Sequence, residues 1–429
     1  MCAGIERLPN MLSVPSVSEG AAPQTNAALE LASSIQSTNI LSRTTTRRNF
    51  EGAATITPGS PYIVHFPNLG HALDLSACSL RFAGVTCTMT AGVQPRFMQG
   101  PLPIIQTAIL RAGGATIATL QQASLYMQIQ HTLYGDPSAQ GSSAMGIGTA
   151  ATRQTWSTVS RVYEIPFSLL FGDLATWPSS FGLLEMELHF ADAAAPLEAT
   201  GATTTPTWSA SGTASYVQVD VLTFKQPISW DAIRFRNARV SQFTVAAATT
   251  SADLVVSHRL RNMRSLIVVE RATATLTTVT TLNRLENFLV NAKSGWQGIV
   301  DNVHYPPYRV LFTAATDYYE AYKQILLANN HRSGADPTTG AISDVGLMSP
   351  EQWSGNDPSG IAKNVVVVSF ERSDNASGIL SGVDTRNNGS DTRLSVEWTA
   401  GATVASTLTG FVIHDSVIRS SGGVLTLED

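Results

Sequence analysis

Short runs of Val, Ile, Thr, Phe and Tyr, separated by clusters of Gly, Pro, Asn and Asp, recur from residue 51 to the C-terminus. Branched and aromatic side chains pack well on a pleated surface, and the residues between the runs favour turns, so each run predicts a β-strand. In YVQVDVLTF (216–224), Val217, Val219 and Val221 alternate with polar residues, which is the period of a strand that is buried on one face. The pattern predicts an all-β chain.

The β-type runs divide into two halves that meet near Pro227. A chain of 429 residues exceeds the size at which one hydrophobic core usually keeps growing, so two domains are expected. We predict one β-sandwich over residues 51–227 and a second over 228–429. The clear helical pattern is TDYYEAYKQILLANN (316–330) in the second half, and the segment LYMQIQHTLYG (125–135) of the first half is helix-like.

Two segments of the first half are rich in Gly, Ser, Thr and Ala and poor in charge, namely residues 136–156 and 196–214. Their composition lacks the apolar periodicity of a strand or a helix. We predict that both are surface loops.

Residues 1–50 are predicted to form an N-terminal arm. Residues 26–41 have the spacing of a short amphipathic helix, and Arg43, Arg47 and Arg48 follow in a Thr-rich stretch. We predict that these three arginines contact neighbouring molecules during assembly. The alternative is a disordered, solvated terminus.

Charged residues make up only 14% of the chain, whereas soluble domains are commonly near ~25%. Because charge is depleted at the cores of protein interfaces, this composition favours a protein that buries much of its surface against other copies. A Thr-rich extracellular β protein is the alternative. The net charge of −5 and the pI near 5.9 argue against a chain that coats nucleic acid.

The cysteines Cys2, Cys78 and Cys87 do not form a disulfide framework. Cys78 and Cys87 could pair across adjacent strands, but free buried thiols are favoured. The N-terminus lacks the features of a signal peptide, and no apolar run reaches the ~20 residues of a membrane span. We therefore expect synthesis in the reducing cytoplasm or nucleus of a cell.

Catalytic and metal-binding patterns are absent from the sequence. The eight histidines form no HxH, HxxxH or HExxH motif, so no metal, cofactor or catalytic residue is predicted. Glu185 and Glu187 share one face of a strand and are interpreted as solvated carboxylates rather than a glycosidase pair. His414 and Asp415 are interpreted as a structural pair. The chain is therefore not expected to be an enzyme.

A set of segments, in order along the chain, resembles the double-jelly-roll major capsid proteins of the adenovirus and tailless-phage lineage. The similarity is to the small members found in virophages and polinton-like viruses. The segments that carry it are HALDLSACSLRFAGVTC (71–87) with IIQTAILRAGGATIAT (104–119), then EIPFSLLFGDLATWPSSFGLLEMELHF (164–190), then 294–328, then 365–399 with GFVIHDSVI (410–418).

The resemblance implies two consecutive eight-stranded jelly-roll sandwiches and a structural, non-enzymatic role. It implies a homotrimeric, pseudo-hexagonal capsomer in the icosahedral shell of a double-stranded DNA virus. The expected partners are other copies of the chain, neighbouring capsomers, penton and minor capsid proteins, and an internal lipid membrane reached through the arm. No sequence-specific nucleic acid is expected. The alternative function is a carbohydrate-binding jelly-roll protein of the lectin or receptor-binding type.

Overall fold

The structure is a computed structural model. It describes residues 40–89, 91–134, 143–172, 174–226, 228, 230–276, 278–313, 321–322, 324–325, 353–355, 362–370, 382–386, 392–399, 401–421 and 424–429.

The first half consists mainly of antiparallel strands. In chain order these are β1 (Ile40–Asn49), β2 (Thr55–Ile56), β3 (Pro61–His65), β4 (Ala72–Thr88), β5 (Ala91–Gly92), β6 (Arg96–Phe97), β7 (Ile105–Ala112), β8 (Ala115–Gln121), β9 (Arg161–Pro166), β10 (Thr176–Pro178), β11 (Leu184–Phe190), β12 (Leu197–Glu198), β13 (Thr203–Thr204) and β14 (Thr207–Phe224). Its helices are α1 (Ala123–Tyr134), α2 (Ala150–Thr158), α3 (Ser168–Phe171) and the 3₁₀ turn Ser179–Phe181.

The second half is also built from antiparallel strands, and its described residues include a 3₁₀ turn at Thr273–Thr275. The strands are β15 (Ala232–Val245), β16 (Ser251–Val256), β17 (Met263–Ala272), β18 (Lys293–Val300), β19 (Val303–Leu311), β20 (Val365–Ser369), β21 (Thr392–Trp398), β22 (Ser406–Ser421) and β23 (Val424–Glu428).

Both halves have the same strand order. In the second half one sheet runs β15–β22–β17–β20 and the other runs β16–β21–β18–β19. In the first half one sheet runs β1–β14–β4, with β9 and β10 both pairing with β4, and the other runs β3–β11–β7–β8. When the eight principal strands of each half are counted in chain order, each half has one sheet ordered 1-8-3-6 and one ordered 2-7-4-5. This is the two-sheet, double Greek-key arrangement of a jelly roll.

Residues 40–49 of the predicted arm belong to the first sheet. Strand β1 pairs along its length with β14, with Thr44 opposite Val221 and Arg48 opposite Val217. Most of its side chains are exposed, so the strand has no apolar face for sequence periodicity to reveal. The helix predicted over 26–41 therefore does not extend into residues 40 and 41, and residues 1–39 lie outside the described part.

Both predicted surface loops contain regular structure, and these two predictions are wrong in that respect. Helix α2 begins inside 136–156, where the Thr149 hydroxyl caps it by accepting from the Thr152 amide at 3.2 Å. Strand β14 begins inside 196–214 and buries Trp208. Their Ser-, Thr- and Ala-rich sequences were misleading because tertiary contacts, rather than intrinsic preference, decide the conformation of such segments.

The helical pattern of the first half is confirmed by α1. In the pattern at 316–330, the four described residues, 321, 322, 324 and 325, are helical, and the remainder lies outside the described residues. Strand β19 contains the two prolines of YPPY and lies at the edge of its sheet, where missing amide donors are tolerated.

Candidate functional site: the junction of the halves and the exposed strand edges

The sheet β15–β22–β17–β20 is covered on both faces. Around Gly410, the side chains of Leu254, Leu266 and Val268 fill the space towards the partner sheet of the same half. The next residue, Phe411, points the opposite way and packs on Tyr126 of α1, with ring centroids 5.3 Å apart. Strands β17, β20 and β22 are buried almost continuously for this reason.

One contiguous cluster of buried apolar side chains includes residues of both halves. Fully burying an aromatic or large aliphatic side chain contributes about 1.5–3 kcal/mol relative to leaving it exposed. Phe411 and Tyr126 belong to this cluster and lie on opposite sides of the junction. The two halves are therefore packed as one block.

A buried carboxylate forms the polar centre of the junction. Glu198 on β12 accepts hydrogen bonds at Oε1 from Arg96 Nε at 3.0 Å and from Arg153 Nη1 at 2.6 Å. Its Oε2 accepts from the backbone amide of Asn283, which belongs to the second half, at 2.8 Å. All three side chains that form the ion pairs are buried. A carboxylate of the first half thus holds a loop of the second.

The loop that follows β17 inserts an arginine into the first half. The Nη2 group of Arg284 lies 2.5–3.0 Å from the backbone oxygens of Ala194, Ala195 and Leu197. Its Nε lies 3.1 Å from the sulfur of Met98. Neither Glu198 nor Arg284 is predicted from the sequence, because residue spacing within each half does not indicate which loops meet.

The predicted arm arginines lie on β1, where two of them bind within the sheet. Arg43 donates from Nε to Asp220 at 2.6 Å and its Nη2 lies 3.1 Å from Asp74. Burial raises the pKa of Asp220, but hydrogen bonds from Thr45 and Arg43 outweigh it and lower that pKa overall.

Arg47 donates to Gln218 at 3.1 Å and its guanidinium lies 5.1 Å from the ring centroid of Tyr216. Arg48 is exposed. A role of these arginines in assembly stays a prediction.

Several large apolar side chains are exposed on strands at the edges of the sheets. On β19, Val303, Tyr308 and Leu311 are each half exposed. Leu41 on β1 and Val162 on β9 are exposed in the same way on the first half. Edge strands present unpaired backbone groups, and soluble proteins usually protect them.

No protein-family model matches the sequence, and no curated protein matches it. The structure is nevertheless similar to solved viral structures. A chain of the PBCV-1 virus capsid matches with a TM-score of 0.60 at 12% identity, covering 90% of this chain and 96% of that chain. A chain of the Sputnik virophage matches with a TM-score of 0.54 at 12% identity, covering 99% and 94%. The major capsid protein of mavirus matches with a TM-score of 0.51 at 10% identity, covering 100% and 96%.

This chain has the double jelly-roll fold of viral major capsid proteins. The resemblance seen in the sequence is thereby confirmed for the fold, and the agreement extends over both jelly rolls.

The two carboxylates considered for glycosidase chemistry each lie beside a basic or histidine side chain on the surface of the sheet. Glu185 lies 3.0 Å from His65, and Glu187 lies 2.6 Å from Arg111 and 2.7 Å from His189. The sequence predicted solvated carboxylates. In the structure both carboxylates instead have a side-chain partner. Across the described ranges, no group of three or more His, Cys, Asp and Glu could hold a metal ion. Among the same residues, no helix is long and apolar enough to cross a membrane.

His414 and Asp415 do not form the predicted pair. They are neighbours on β22, so their side chains point to opposite faces. Asp415 binds Arg234 at 2.6 Å and Asn262. Burial lowers the pKa of His414 to about 4.

The prediction of free thiols is confirmed for the described cysteines. Cys78 and Cys87 are both buried on β4 and are not paired. Burial raises the pKa of both thiols, which disfavours the reactive thiolate.

Acid should destabilise the double jelly roll through His131 on α1. Burial, with a smaller contribution from Lys363, lowers the pKa of His131 to about 4, whereas the unfolded chain titrates near 6.5. Between these values the unfolded chain binds more protons, so stability falls as the pH drops, by about 3 kcal/mol at pH 4 relative to pH 7. Urea unfolding at fixed protein concentration should show that His131→Met loses less unfolding free energy between pH 7 and pH 4 than the wild type does. An equal loss in the variant would contradict this assignment.

Proposed function

We propose that the protein is a major capsid protein, a structural and non-enzymatic subunit that forms trimeric capsomers of an icosahedral double-stranded DNA virus shell. The observation that supports this most is the repeated strand order, in which two jelly rolls are packed as one block through a buried junction. Three such blocks contain six sandwiches. They can form a pseudo-hexagonal prism that tiles a curved sheet.

The surface of the chain supports extensive self-association. Charged residues are scarce, and apolar side chains such as Tyr308 and Leu311 are exposed on edge strands. Obligate interfaces commonly bury ~2,000–5,000 Å², so trimer formation should contribute strongly to stability. We propose that the exposed edges β1, β9 and β19 are covered by neighbouring copies.

The further partners we propose are neighbouring capsomers, penton proteins and minor capsid proteins. The N-terminal residues are proposed to contact these partners or an internal lipid membrane. The site of action is the virion, and the proposed site of synthesis is the cytoplasm or nucleus of the host. These proposals follow from the similarity to virus and virophage capsid structures.

Size-exclusion chromatography with light scattering tests the proposal. We expect a species of about 137 kDa, three copies of the 45.7 kDa chain, which forms sheets or shells visible by electron microscopy. A stable monomer that binds a glycan array would instead select the carbohydrate-binding alternative.

Removing residues 1–39 should leave trimers intact and impair shell assembly. This truncation ends before β1, so every strand of the first sheet is retained. Light scattering measures trimer formation and electron microscopy measures particle yield. Normal particles from the truncated chain would contradict the proposed role of the arm.

The longer truncation of residues 1–49 is the matched comparison. It removes β1, exposes the edge of β14 and leaves Asp220 without its Arg43 and Thr45 partners. We expect this variant to lose trimers as well as shells.

A further inference from the structure

The two jelly rolls contact each other through two unlike surfaces. The second roll contributes the outer face of the sheet β15–β22–β17–β20, where Phe411 lies. The first roll contributes the edge strand β8, which contacts β15, and the helix α1, whose Tyr126 packs on Phe411. Because the two surfaces differ, this head-to-tail contact can be repeated by further copies of the chain until a ring closes.

Each of these surfaces has a counterpart in the other roll. Since the strand order is the same in both halves, β1 corresponds to β15, β14 to β22, β9 to β20 and β19 to β8. The second roll therefore has an edge strand, β19, that corresponds to β8. The first roll has an outer sheet face, formed by β1, β14, β4 and β9, that corresponds to the face on which Phe411 lies.

The outer sheet face is covered in the second roll and exposed in the first. Strand β22 is buried at every position over 406–418. Its counterpart β14 alternates, and outward side chains such as Tyr216 and Gln218 are only partly buried. Most side chains of β1 are exposed, and Val162 on β9 is half exposed.

The two edge strands differ in the same way. On β8, which lies at the junction, Ile117 and Leu120 are buried. On β19, Val303 and Leu311 are half exposed. Each surface that the junction covers thus has an exposed counterpart in the described part of the chain.

The outer face of the first sheet is suited to burial against another protein surface. Its charged side chains pair with each other, since Arg43 Nε lies 2.6 Å from Asp220 and Arg81 Nη2 lies 2.6 Å from Glu164. Charges that are already paired can be buried at lower cost than isolated charges. Val162 adds an exposed apolar side chain to the same face as Glu164, because alternate residues of a strand share one face.

This face is also continuous with the junction inside the chain. At one end of the face, Ala72, Leu222 and Phe224 form a small apolar cluster, on which Ile228 packs. Ile228 packs on the main apolar cluster of the two rolls as well. A subunit that covers the face therefore extends an interface that the chain already makes.

We propose that β19 of one copy packs against the outer face of the first sheet of a second copy, next to β1, and so repeats the contact that β8 makes with β15 inside each chain. This inference rests on the proposed capsomer and assigns the surfaces that build it. Three copies then close a ring of six rolls, in which contacts within a chain alternate with equivalent contacts between chains. Val303 and Leu311 are buried on one side of the new interface, and Leu41 and Val162 on the other.

Two double variants of the full-length chain test this assignment. The edge variant combines Val303→Asp with Leu311→Asp, and the face variant combines Leu41→Asp with Val162→Asp. All four side chains are half exposed or more, so the substitutions should leave each chain folded, which urea unfolding verifies. By light scattering, each variant alone should be a monomer of 45.7 kDa under conditions in which the wild type is a trimer, because every contact of the ring needs both surfaces.

The matched control combines Ile63→Asp with Val255→Asp. These two apolar side chains are 42% and 47% exposed and lie on β3 and β16, the strands at the opposite edges of the sheets that contain β8 and β19. The control introduces the same number of charges on corresponding strands outside the proposed interface. It should form trimers as the wild type does.

A mixture of the edge variant and the face variant tests the head-to-tail polarity. The intact β19 of the face variant can pack on the intact first sheet of the edge variant, but the ring cannot close. Native mass spectrometry of the equimolar mixture should therefore show a heterodimer of about 91 kDa, two copies of the 45.7 kDa chain, which neither variant forms alone.

Three results would overturn the assignment of these surfaces. One is trimer formation by the edge variant or the face variant, which would leave the first sheet to be covered by residues 1–39 or by another protein. Another is a loss of trimers in the control. The third is a mixture in which both variants are folded and stay monomeric. A wild type that is itself monomeric would instead refute the proposed capsomer, and this inference with it.

Discussion

Replacing Glu198 by Gln should destabilise the protein by about 3–5 kcal/mol. Glu198 is the carboxylate that Arg96 and Arg153 share inside the junction, at 3.0 and 2.6 Å. Gln retains the shape of the side chain but removes its charge, which leaves two buried guanidiniums without compensation. Chemical denaturation at fixed protein concentration measures the change in the free energy of unfolding.

The same substitution should also loosen the coupling of the two halves. The Oε2 atom of Glu198 accepts the amide of Asn283, so a weaker junction releases the loop that also holds Arg284. We expect the unfolding curve of Glu198→Gln to separate into two transitions. A single transition with unchanged midpoint would show that the apolar contacts of Phe411 and Tyr126 are sufficient for the coupling.

Glu164→Gln is the matched control, since it removes the same negative charge from an ion pair that a carboxylate forms with an arginine on the surface. Glu164 lies 2.6 Å from Arg81, and both side chains are about one third exposed. Exposed ion pairs contribute about 0–1 kcal/mol, so this variant should unfold almost as the wild type does. A cost for Glu198→Gln no larger than that of the control would refute the proposed role of the buried carboxylate.

The second large effect is expected for Lys293→Met in the core of the second jelly roll. Lys293 donates to Glu270 at 2.5 Å and to the backbone oxygen of Leu289 at 2.6 Å, and both members of the ion pair are 1% exposed. Burial lowers the pKa of Lys293, while Glu270 opposes that change. Removing the ammonium leaves the Glu270 charge buried and should cost about 3–5 kcal/mol.

The double variant Lys293→Met with Glu270→Gln should recover about 2 kcal/mol or more of this loss. The Gln side chain retains an oxygen that can accept from Asn291 and Ser406, each of which lies 2.5 Å from Glu270 Oε1, and no charge remains. Comparison of the single and double variants by urea unfolding isolates the pair. If the double variant is less stable than Lys293→Met, uncompensated charge is not the cause of the loss.

Sequence patterns predicted the structure correctly where the conformation of a segment and the burial of its side chains follow the same periodicity. The alternation of Val217, Val219 and Val221 predicted a strand buried on one face, and β14 has that burial pattern. The helix-like segment 125–135, which accompanies the segments that carry the family resemblance, is the helix α1. The order of the resembling segments then predicted the double jelly roll, which strand periodicity alone does not distinguish from other pairs of sandwiches.

The failures occurred where a neighbouring element decides the conformation. Strand β1 has no apolar face, so only its pairing with β14 defines it. Helix α2 lies in a segment with the composition of a loop, and its residue Arg153 is buried because it reaches Glu198.

What the sequence by itself determined is the β class of the chain, its division into two halves and the positions of most strands, because these depend on side chains that are close together in the chain. What only the tertiary structure decided is which side chains meet across the halves. Glu198 and Asn283 are 85 residues apart, and their contact depends on how two complete sandwiches pack. Residue spacing does not predict such a contact, because the packing of two surfaces depends on the shape of each sandwich after it has folded.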